Sequence, residues 1–422
     1  MNQTSISTDP SCMDDFDPNS LAVDTAMARI LSALQPVTES EVVPIRAALG
    51  RVLANDVHSD INVPGGTNSA MDGYAVSSSD LPASGIRELV VTGTAWAGRP
   101  FDGAVAPGQA VRIMTGGILP PGSDTIVIQE RVERLGDRIR IGADTRPGEN
   151  VRRAGEDIAA GTRVLQAGTR LTPADIGLLA SLGIGTIDIK RRIRVAFFST
   201  GDELRSVGES LRPGDVYDSN RYTLHGMLTR LGAEFMDLGV VRDDRSALEA
   251  AFVHAAAGAD VVITSGGVSV GEADFVKEIL LKTGQVEFWK VAMKPGRPLA
   301  FGRIQNAWFF GLPGNPVSVM VTFYEFVQPA LRRLMGESQH TALRLKVPCI
   351  SRLKKRPGRV EFQRGILERD ADGQMVVRKT GAQGSGILSS MAQANCFIIL
   401  PMESTGVEPG ADVEVEPFFG LV

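Results

Sequence analysis

A chain of 422 residues is too long for one ordinary domain, and a prior of roughly 100–200 residues per domain divides it into three or four. Its 43% hydrophobic and 22% charged residues supply several globular cores, while a net charge of -5 and only 6% aromatics argue against a cationic, base-stacking nucleic-acid surface. Three scattered cysteines (Cys12, Cys349, Cys396) and four scattered histidines give no zinc spacing, and no apolar run approaches the ~20 residues that cross a bilayer.

Residues 1–20 are rich in Ser, Asp, Asn and Thr and are expected to form a disordered arm. The arm lacks the basic-then-apolar pattern of a secretory signal, so the chain is expected in the cytoplasm. Val23, Met27, Ile30, Leu31 and Leu34 recur at helical spacing until Pro36 stops the run. A second short helix is predicted after Pro44, carrying Ile45, Leu49, Val52 and Leu53. Over 67–147 short runs (Leu89–Thr92, Ala110–Met114, Thr125–Gln129, Arg138–Ile141) alternate with Gly/Pro turns and predict a β-rich domain. Helix signals return over 148–190, with Thr172 as cap, Pro173 at the first helical position and Gly183 past the end. The symmetry suggests that 21–66 and 148–190 form one mixed helical domain into which 67–147 is inserted.

Residues 191–338 alternate strands (Arg194–Ser199, Phe235–Val241, Asp260–Ser265, then Val286–Val291, Leu299–Phe301 and Trp308–Gly311) with helices. Those helices carry Leu224, Met227, Leu228 and Leu231, then Leu248, Ala251, Phe252 and Ala255; a third spans Asp274–Lys282 and a last one is opened by Asn315-Pro316. Such alternation predicts a three-layer α/β domain with a parallel-type sheet, whose ligands sit at loops beyond the strand C-termini. The last stretch, 339–422, is β again, with a hairpin at Asp372-Gly373, and reads as a small barrel or sandwich.

Three loops should meet at one edge of the α/β sheet: Ser199-Thr200-Gly201-Asp202-Glu203, the run from Ser265-Gly266-Gly267 through Ser269, Gly271 and Asp274, and Gly311-Leu312-Pro313-Gly314-Asn315-Pro316. Glycine lets the backbone approach an anion, and free N–H groups near a helix start bind it. Neither a Walker A loop nor a Gly-x-Gly-x-x-Gly fingerprint is present, and each loop taken singly has a plain explanation as a turn or cap. Lys290 and Lys294, an even number of residues apart, would share one face of a strand and suit an oxyanion such as phosphate or molybdate; a solvated edge is the bland alternative. Carboxylates recur in loops at Asp72, Asp157, Glu203, Asp243 and Asp244, the kind of ligand Mg²⁺ takes together with phosphate, although Asp244 reads as a helix cap. Arg364 and Ser385 belong to the last domain, and spacing does not say whether they face a ligand.

Asn68-Ser69-Ala70-Met71-Asp72-Gly73-Tyr74-Ala75, Met114-Thr115-Gly116-Gly117, Arg153-Ala154-Gly155-Glu156-Asp157, the Ser265–Gly271 loop, Lys294-Pro295-Gly296-Arg297-Pro298 and Gly311–Ser318 occur in this order. Together they resemble the molybdopterin molybdenumtransferase family, MoeA and the gephyrin E-domain, from about residue 21 onward. The resemblance implies a homodimer of four-part subunits with a C-terminal β-barrel. It implies Mg²⁺-dependent insertion of molybdate into adenylylated molybdopterin with release of AMP, and contact with the molybdopterin-adenylylating protein. Composition and the lack of a long apolar run add the expectation of no nucleic acid and no membrane.

By the same resemblance the α/β domain holds the pterin nucleotide, through Thr200, Gly201, Ser265, Gly266, Gly267, Ser269, Gly271, Asp274, Pro313, Gly314, Asn315 and Pro316. Asp72, Thr115, Asp157, Glu203, Asp243, Lys290 and Lys294 match functional positions, Glu203 and Asp243 as Mg²⁺ ligands, and Arg364 with Ser385 matches a molybdate site. The site is expected between subunits. The sequence departs from the family at Gly66-Thr67, where Phe-Asp is common, and at Gly386, where His is common. Three other readings remain: a molybdopterin adenylyltransferase, a gephyrin-like scaffold without catalysis, and a paralogue that uses tungstate.

Overall fold

The apolar run Val261–Ser265 is buried at every position, which places it in the middle of a covered sheet. The computed structural model, which describes residues 20–267, 278–280, 282, 284–338 and 342–418, shows it there. The sheet order is Glu234–Val241, Arg194–Thr200, Val261–Ser265, Ala307–Leu312, Pro298–Ile304, Gly284–Lys290. Its first four strands are parallel. The fifth is antiparallel to both its neighbours, so it alone is reversed and the sixth runs with the first four, a correction to the parallel-type sheet expected. The reason is local: only Gln305-Asn306 separates Pro298–Ile304 from Ala307–Leu312, with Gln305 at φ 52, and so short a turn joins antiparallel strands only.

Period two then sorts the side chains. Val195, Phe197, Val261 and Ile263 face helix Ser219–Leu231 through Leu224, Met227, Leu228 and Leu231. Ala196, Phe198 and Val262 face helix Arg245–Gly258 through Leu248, Phe252 and Ala255. Each such large side chain removed from water contributes about 1.5–3 kcal/mol before the entropy of ordering it. Asp218 caps the first helix on Arg221 N–H at 3.2 Å, and Gly232 ends it at φ 81. Asp244 caps the second on Ala247 N–H at 3.0 Å. These caps start both helices at the strand-end edge of the sheet. The expected helix Asp274–Lys282 is described only at 278–280 and 282, all helical, and the expected N-terminal arm lies outside the described residues apart from Ser20.

Helix Val23–Ala33 forms as its spacing predicts, and buries Ala26 and Ile30 against the last helical segment, in one cluster with Leu331 and Leu334. The helix predicted after Pro44 does not form. Ser40–Pro44 is a strand paired with Thr186–Lys190, and only a 3₁₀ turn, Ile45–Ala47, follows. Leu49 is 55% exposed while Val52 and Leu53 bridge to Arg170 and Ile189, so that apolar spacing served strand contacts. The capping box Thr172–Asp175 opens helix Pro173–Ser181 as expected. Between these segments stands a six-stranded sheet, ordered Thr125–Ile128, Gly73–Val76, Gln109–Ile113, Ile86–Ala95, Arg138–Gly142, Val132–Leu135. Asn68–Ser69 pairs with Val151–Arg152 where the chain enters and leaves it.

The last region orders Met293–Lys294, Val360–Arg369, Cys396–Leu400, Asp412–Pro417 and Leu345–Pro348, with Met375–Lys379 also paired to Val360–Arg369. The hairpin at Asp372-Gly373 is present, with Gly373 at φ 79. A further bridge, Cys349 to Val377, links the residue after Leu345–Pro348 to strand Met375–Lys379. Its first strand comes from the α/β region: Met293 and Lys294 pair in parallel with Val360 and Glu361. Lys290 ends strand Gly284–Lys290, and the chain leaves the sheet at Val291, which pairs with Leu21. Lys290 and Lys294 therefore do not share a strand face, against the expectation from their spacing.

Candidate active site

Strand order puts three loop exits side by side, at the C-terminal ends of Arg194–Thr200, Val261–Ser265 and Ala307–Leu312. Gly266, at φ 91, lies so close to the first loop that a Cβ would stand 2.7 Å from the Thr200 carbonyl oxygen. Gly266 N–H donates to the Leu312 carbonyl at 3.0 Å, and Ser265 Oγ donates to the Pro313 carbonyl at 3.4 Å. Gly314 lies against Gly266 across this seam, its would-be Cβ 4.0 Å from the Gly266 Cα. Asn315 occupies the cap position of helix Pro316–Thr322 without a side-chain cap bond, and Pro316 is its first residue. Thr200, Gly201, Ser265, Gly266, Gly267, Pro313, Gly314, Asn315 and Pro316 thus form one edge; Ser269, Gly271 and Asp274 lie outside the described residues.

Among the described residues, the buried hydroxyl of Thr200, the Asn220 Oδ1 at this edge and Asp218 Oδ2 have no partner. Buried polar atoms are paired as a rule, so unpaired oxygens gathered beside glycine loops mark a place for a polar ligand or water. Sequence pattern does not single out Asn220 or Asp218. Their only signal was the helix start after Val216-Tyr217.

The acidic candidates divide. Gly201 has φ 148, and the Glu203 carboxylate lies 2.7 Å from where its Cβ would be, folded back over the loop. Asp243 N–H donates to Asp202 Oδ1 at 3.3 Å, which draws Glu203's loop and Asp243's loop together. Among the described residues no three His, Cys, Asp or Glu side chains converge as a metal-holding group. Asp72 lies elsewhere, just before strand Gly73–Val76 of the second six-stranded sheet, where its Oδ1 accepts the N–H and the hydroxyl of Thr115 at 2.7 and 2.8 Å. Those two bonds, helped by the Arg112 charge, hold Asp72 below the usual carboxylate range. Gly73 must follow it, because a Cβ there would stand 2.2 Å from the Val127 carbonyl oxygen of the paired strand. Asp157 lines a separate cleft of about 470 Å³ with Val63, Pro64, Asn68, Arg152 and Glu156. Among the described residues, Asp72 and Thr115 bond each other and neither bonds a glycine loop of its own chain.

Lys294 stands at 3.6 Å from Glu361 of the C-terminal sheet. Arg364, three residues further along that strand, is 1% exposed; its Nε donates to Ser390 Oγ and a terminal nitrogen donates to the Gly384 carbonyl, both at 3.0 Å. Burial pushes the Arg364 guanidinium down to about 10. The next carbonyl, of Ser385, accepts Val317 N–H at 3.1 Å in the first turn of helix Pro316–Thr322. The C-terminal region therefore brings the segment that Arg364 holds onto the third glycine loop. At Gly386 a Cβ would meet open space.

Three family models match the chain in order: the MoeA N-terminal region (domain I and II) over residues 21–183, a probable molybdopterin binding domain over 196–333, and the MoeA C-terminal region (domain IV) over 346–418. The molybdopterin molybdenumtransferase of Haemophilus influenzae is 46% identical over 408 residues, which cover 95% of this chain and 100% of that one. The molybdopterin molybdenumtransferase of Nostoc sp. is 38% identical over 417 residues, covering 96% of this chain and 95% of its own. A crystal structure of a molybdopterin biosynthesis moeA protein from Pyrococcus horikoshii superposes with a TM-score of 0.84 at 30% identity, covering 94% of this chain and 100% of that one. Among the described residues no helix is long and apolar enough to cross a membrane.

Proposed function

The chain belongs to the molybdopterin molybdenumtransferase family, and on that premise we propose that it inserts molybdate into adenylylated molybdopterin with release of AMP. The observation that carries this reading is the junction of the glycine-loop edge with the Arg364 segment, made by Val317 N–H and the Ser385 carbonyl. A nucleotide-bearing pterin and a tetrahedral oxyanion must meet, and this junction puts an anion cradle and a buried guanidinium on adjoining elements.

In this reading the backbone of Thr200–Gly201, Gly266–Gly267 and Pro313–Gly314, together with the helix start at Asn315–Pro316, holds the phosphates; Ser269, Gly271 and Asp274 would extend the cradle. Arg364 with Ser385 takes molybdate, while Lys290 and Lys294 lower the repulsion between two anions that must approach. Glu203 and Asp243 would hold Mg²⁺, a donor set that fits an ion taking one or two carboxylates with phosphate oxygens and water. When bound, that ion polarises the phosphoanhydride and favours loss of AMP. The chain's own residues orient the anhydride so that an oxygen of molybdate or of water takes the phosphoryl group as AMP leaves, and no covalent nucleophile on the protein is needed.

Asp72, Thr115 and Asp157 act, in this reading, on the site of a second copy. The support is that, among the described residues, the Asp72–Thr115 pair bonds none of its own chain's glycine loops. The reading takes the protein as a homodimer in the cytoplasm, with four parts per subunit: 21–66 with 148–190, 67–147, 191–338 and a barrel at 339–422, the last supported by the Cys349–Val377 bridge. Delivery of adenylylated molybdopterin by contact with the adenylylating protein completes the proposal.

The test is cofactor formation by the purified protein from adenylylated molybdopterin, Mg²⁺ and molybdate, read by reconstitution of a cofactor-free molybdoenzyme and by AMP released. Formation with AMP release supports the reading, and the same assay with tungstate ranks the two oxyanions. A folded protein that instead consumes ATP with molybdopterin overturns it for an adenylyltransferase, and one that does neither overturns it for a scaffold.

A further inference from the structure

Asn220 sits in the first turn of helix Ser219–Leu231 and is 7% exposed. Its side-chain amide nitrogen donates two hydrogen bonds of 2.7 Å, one to Ser265 Oγ and one to the Gly314 carbonyl oxygen. The acceptors belong to two different glycine loops, which leave neighbouring strands. Ser265 passes the connection on to the Pro313 carbonyl at 3.4 Å. An amide nitrogen carries two hydrogens, and here both are committed, one to each loop. That assignment also fixes which side of the amide carries oxygen, since the Gly314 carbonyl can only accept. The Asn220 Oδ1 is buried without a partner among the described residues. A side chain retained only to fill space would not leave a buried oxygen orphaned, because an apolar residue of similar volume fills the same space without that cost.

We propose that Asn220 is a positioning residue for the transferase reaction: it sets the spacing of the Ser265–Gly267 and Pro313–Pro316 loops, and so the width of the cradle that receives the phosphates of adenylylated molybdopterin. This rests on the reading of the α/β edge as the nucleotide site. It acts through the loop backbone rather than on the reacting atoms. Molybdate, taken up at the Arg364 segment, does not depend on it.

The test uses Asn220→Asp and Asn220→Ala in the full chain. Asn220→Asp keeps the shape but turns a donor into an acceptor facing the Gly314 carbonyl at 2.7 Å. Loss of one or two buried hydrogen bonds predicts a KM for adenylylated molybdopterin raised about 10-fold in both variants, with the KM for molybdate unchanged. For Asn220→Asp the defect shrinks as pH falls and the carboxyl regains a proton to donate; Asn220→Ala shows no such rescue. Equal KM values in variant and wild type overturn the proposal. A rise in both substrates' KM together with a collapsed melting transition overturns it too, since it assigns Asn220 to the fold. Equilibrium dialysis of adenylylated molybdopterin against each protein decides the point separately. If the wild type makes no cofactor, the functional reading fails, yet a 10-fold weaker retention by the variants still supports Asn220 as the spacer of the cradle.

Discussion

The Asp72 carboxylate and Thr115 are joined twice: one oxygen accepts both the Thr115 backbone N–H and its hydroxyl, at 2.7 and 2.8 Å. The pair closes the Met71–Gly73 turn onto the Met114–Gly117 turn and leaves the second carboxylate oxygen outside this pair. Asp72→Ala is expected to lower cofactor formation by about 10²-fold, as for loss of a charge aimed at a reacting centre, while the protein stays folded with a modestly lowered melting transition. Thr115→Val, which keeps the backbone donor, is expected to cost less. Initial rates beside thermal melts check both. Because the Thr115 bonds depress the Asp72 pKa, its contribution to stability is present above the ordinary aspartate range and fades as pH falls through the lowered value.

Lys294 stands 3.6 Å from Glu361 with its side chain 43% exposed, so its charge is only partly spent on that pair. Lys294→Ala is expected to weaken binding of adenylylated molybdopterin by about 5–10-fold, and to flatten the salt dependence of that binding. Titrations at two ionic strengths read this. An unchanged affinity means that Lys294 serves only the contact with Glu361.

Arg364 spans Ser390 Oγ and the Gly384 carbonyl from a buried position. Lysine cannot make both contacts from one planar fork. Arg364→Lys is expected to raise the KM for molybdate about 10-fold and to cost about 1–3 kcal/mol of stability from the partner left unpaired. Molybdate titration of the rate, with a urea melt, separates the two effects.

Glu325 is pushed up to about 8 by burial and by Glu416, against Arg344 and with a smaller push from Asp24. Arg344 is engaged with Glu416 and Glu414 at 3.0 and 3.1 Å and reaches Glu325 only at 3.9 Å, so burial prevails and the carboxyl is protonated at neutral pH. Its folded pKa lies above its unfolded one. Its contribution is therefore fully present below about pH 4.5 and is lost as pH rises toward 8. Glu325→Gln is expected to raise the melting temperature at pH 8 and to leave it unaltered near pH 4.5. Melts of both proteins across that range decide it.

What the sequence made legible was what local chemistry fixes. Thr172, Pro173 and Asp175 open a helix by capping within one turn, and Asp244 does the same. The three loop exits follow from strand alternation once the sheet is assumed. The misreadings came where a distant segment decides. The apolar spacing of Ile45, Leu49, Val52 and Leu53 reads as a helix until Thr186–Lys190 arrives to pair with Ser40–Pro44. Lys290 and Lys294 read as one strand until Leu21 and Val360 claim the residues between and beside them. Asn220 was invisible for the same reason: its acceptors lie 45 and 94 residues away, and one of them is a main-chain carbonyl that any residue could supply.

The strand Met293–Lys294 belongs by sequence to one region and by hydrogen bonding to another, since it pairs with Val360 and Glu361. The boundary near residue 339 is therefore no place to cut. A fragment ending there would carry an edge with nothing to pair, and a graft beginning there would lack its first strand. Recombination between relatives that exchanged C-terminal parts would succeed only where the incoming part matched a dipeptide encoded more than fifty codons upstream of its first pairing partner. Heredity has to treat the two regions as one cassette.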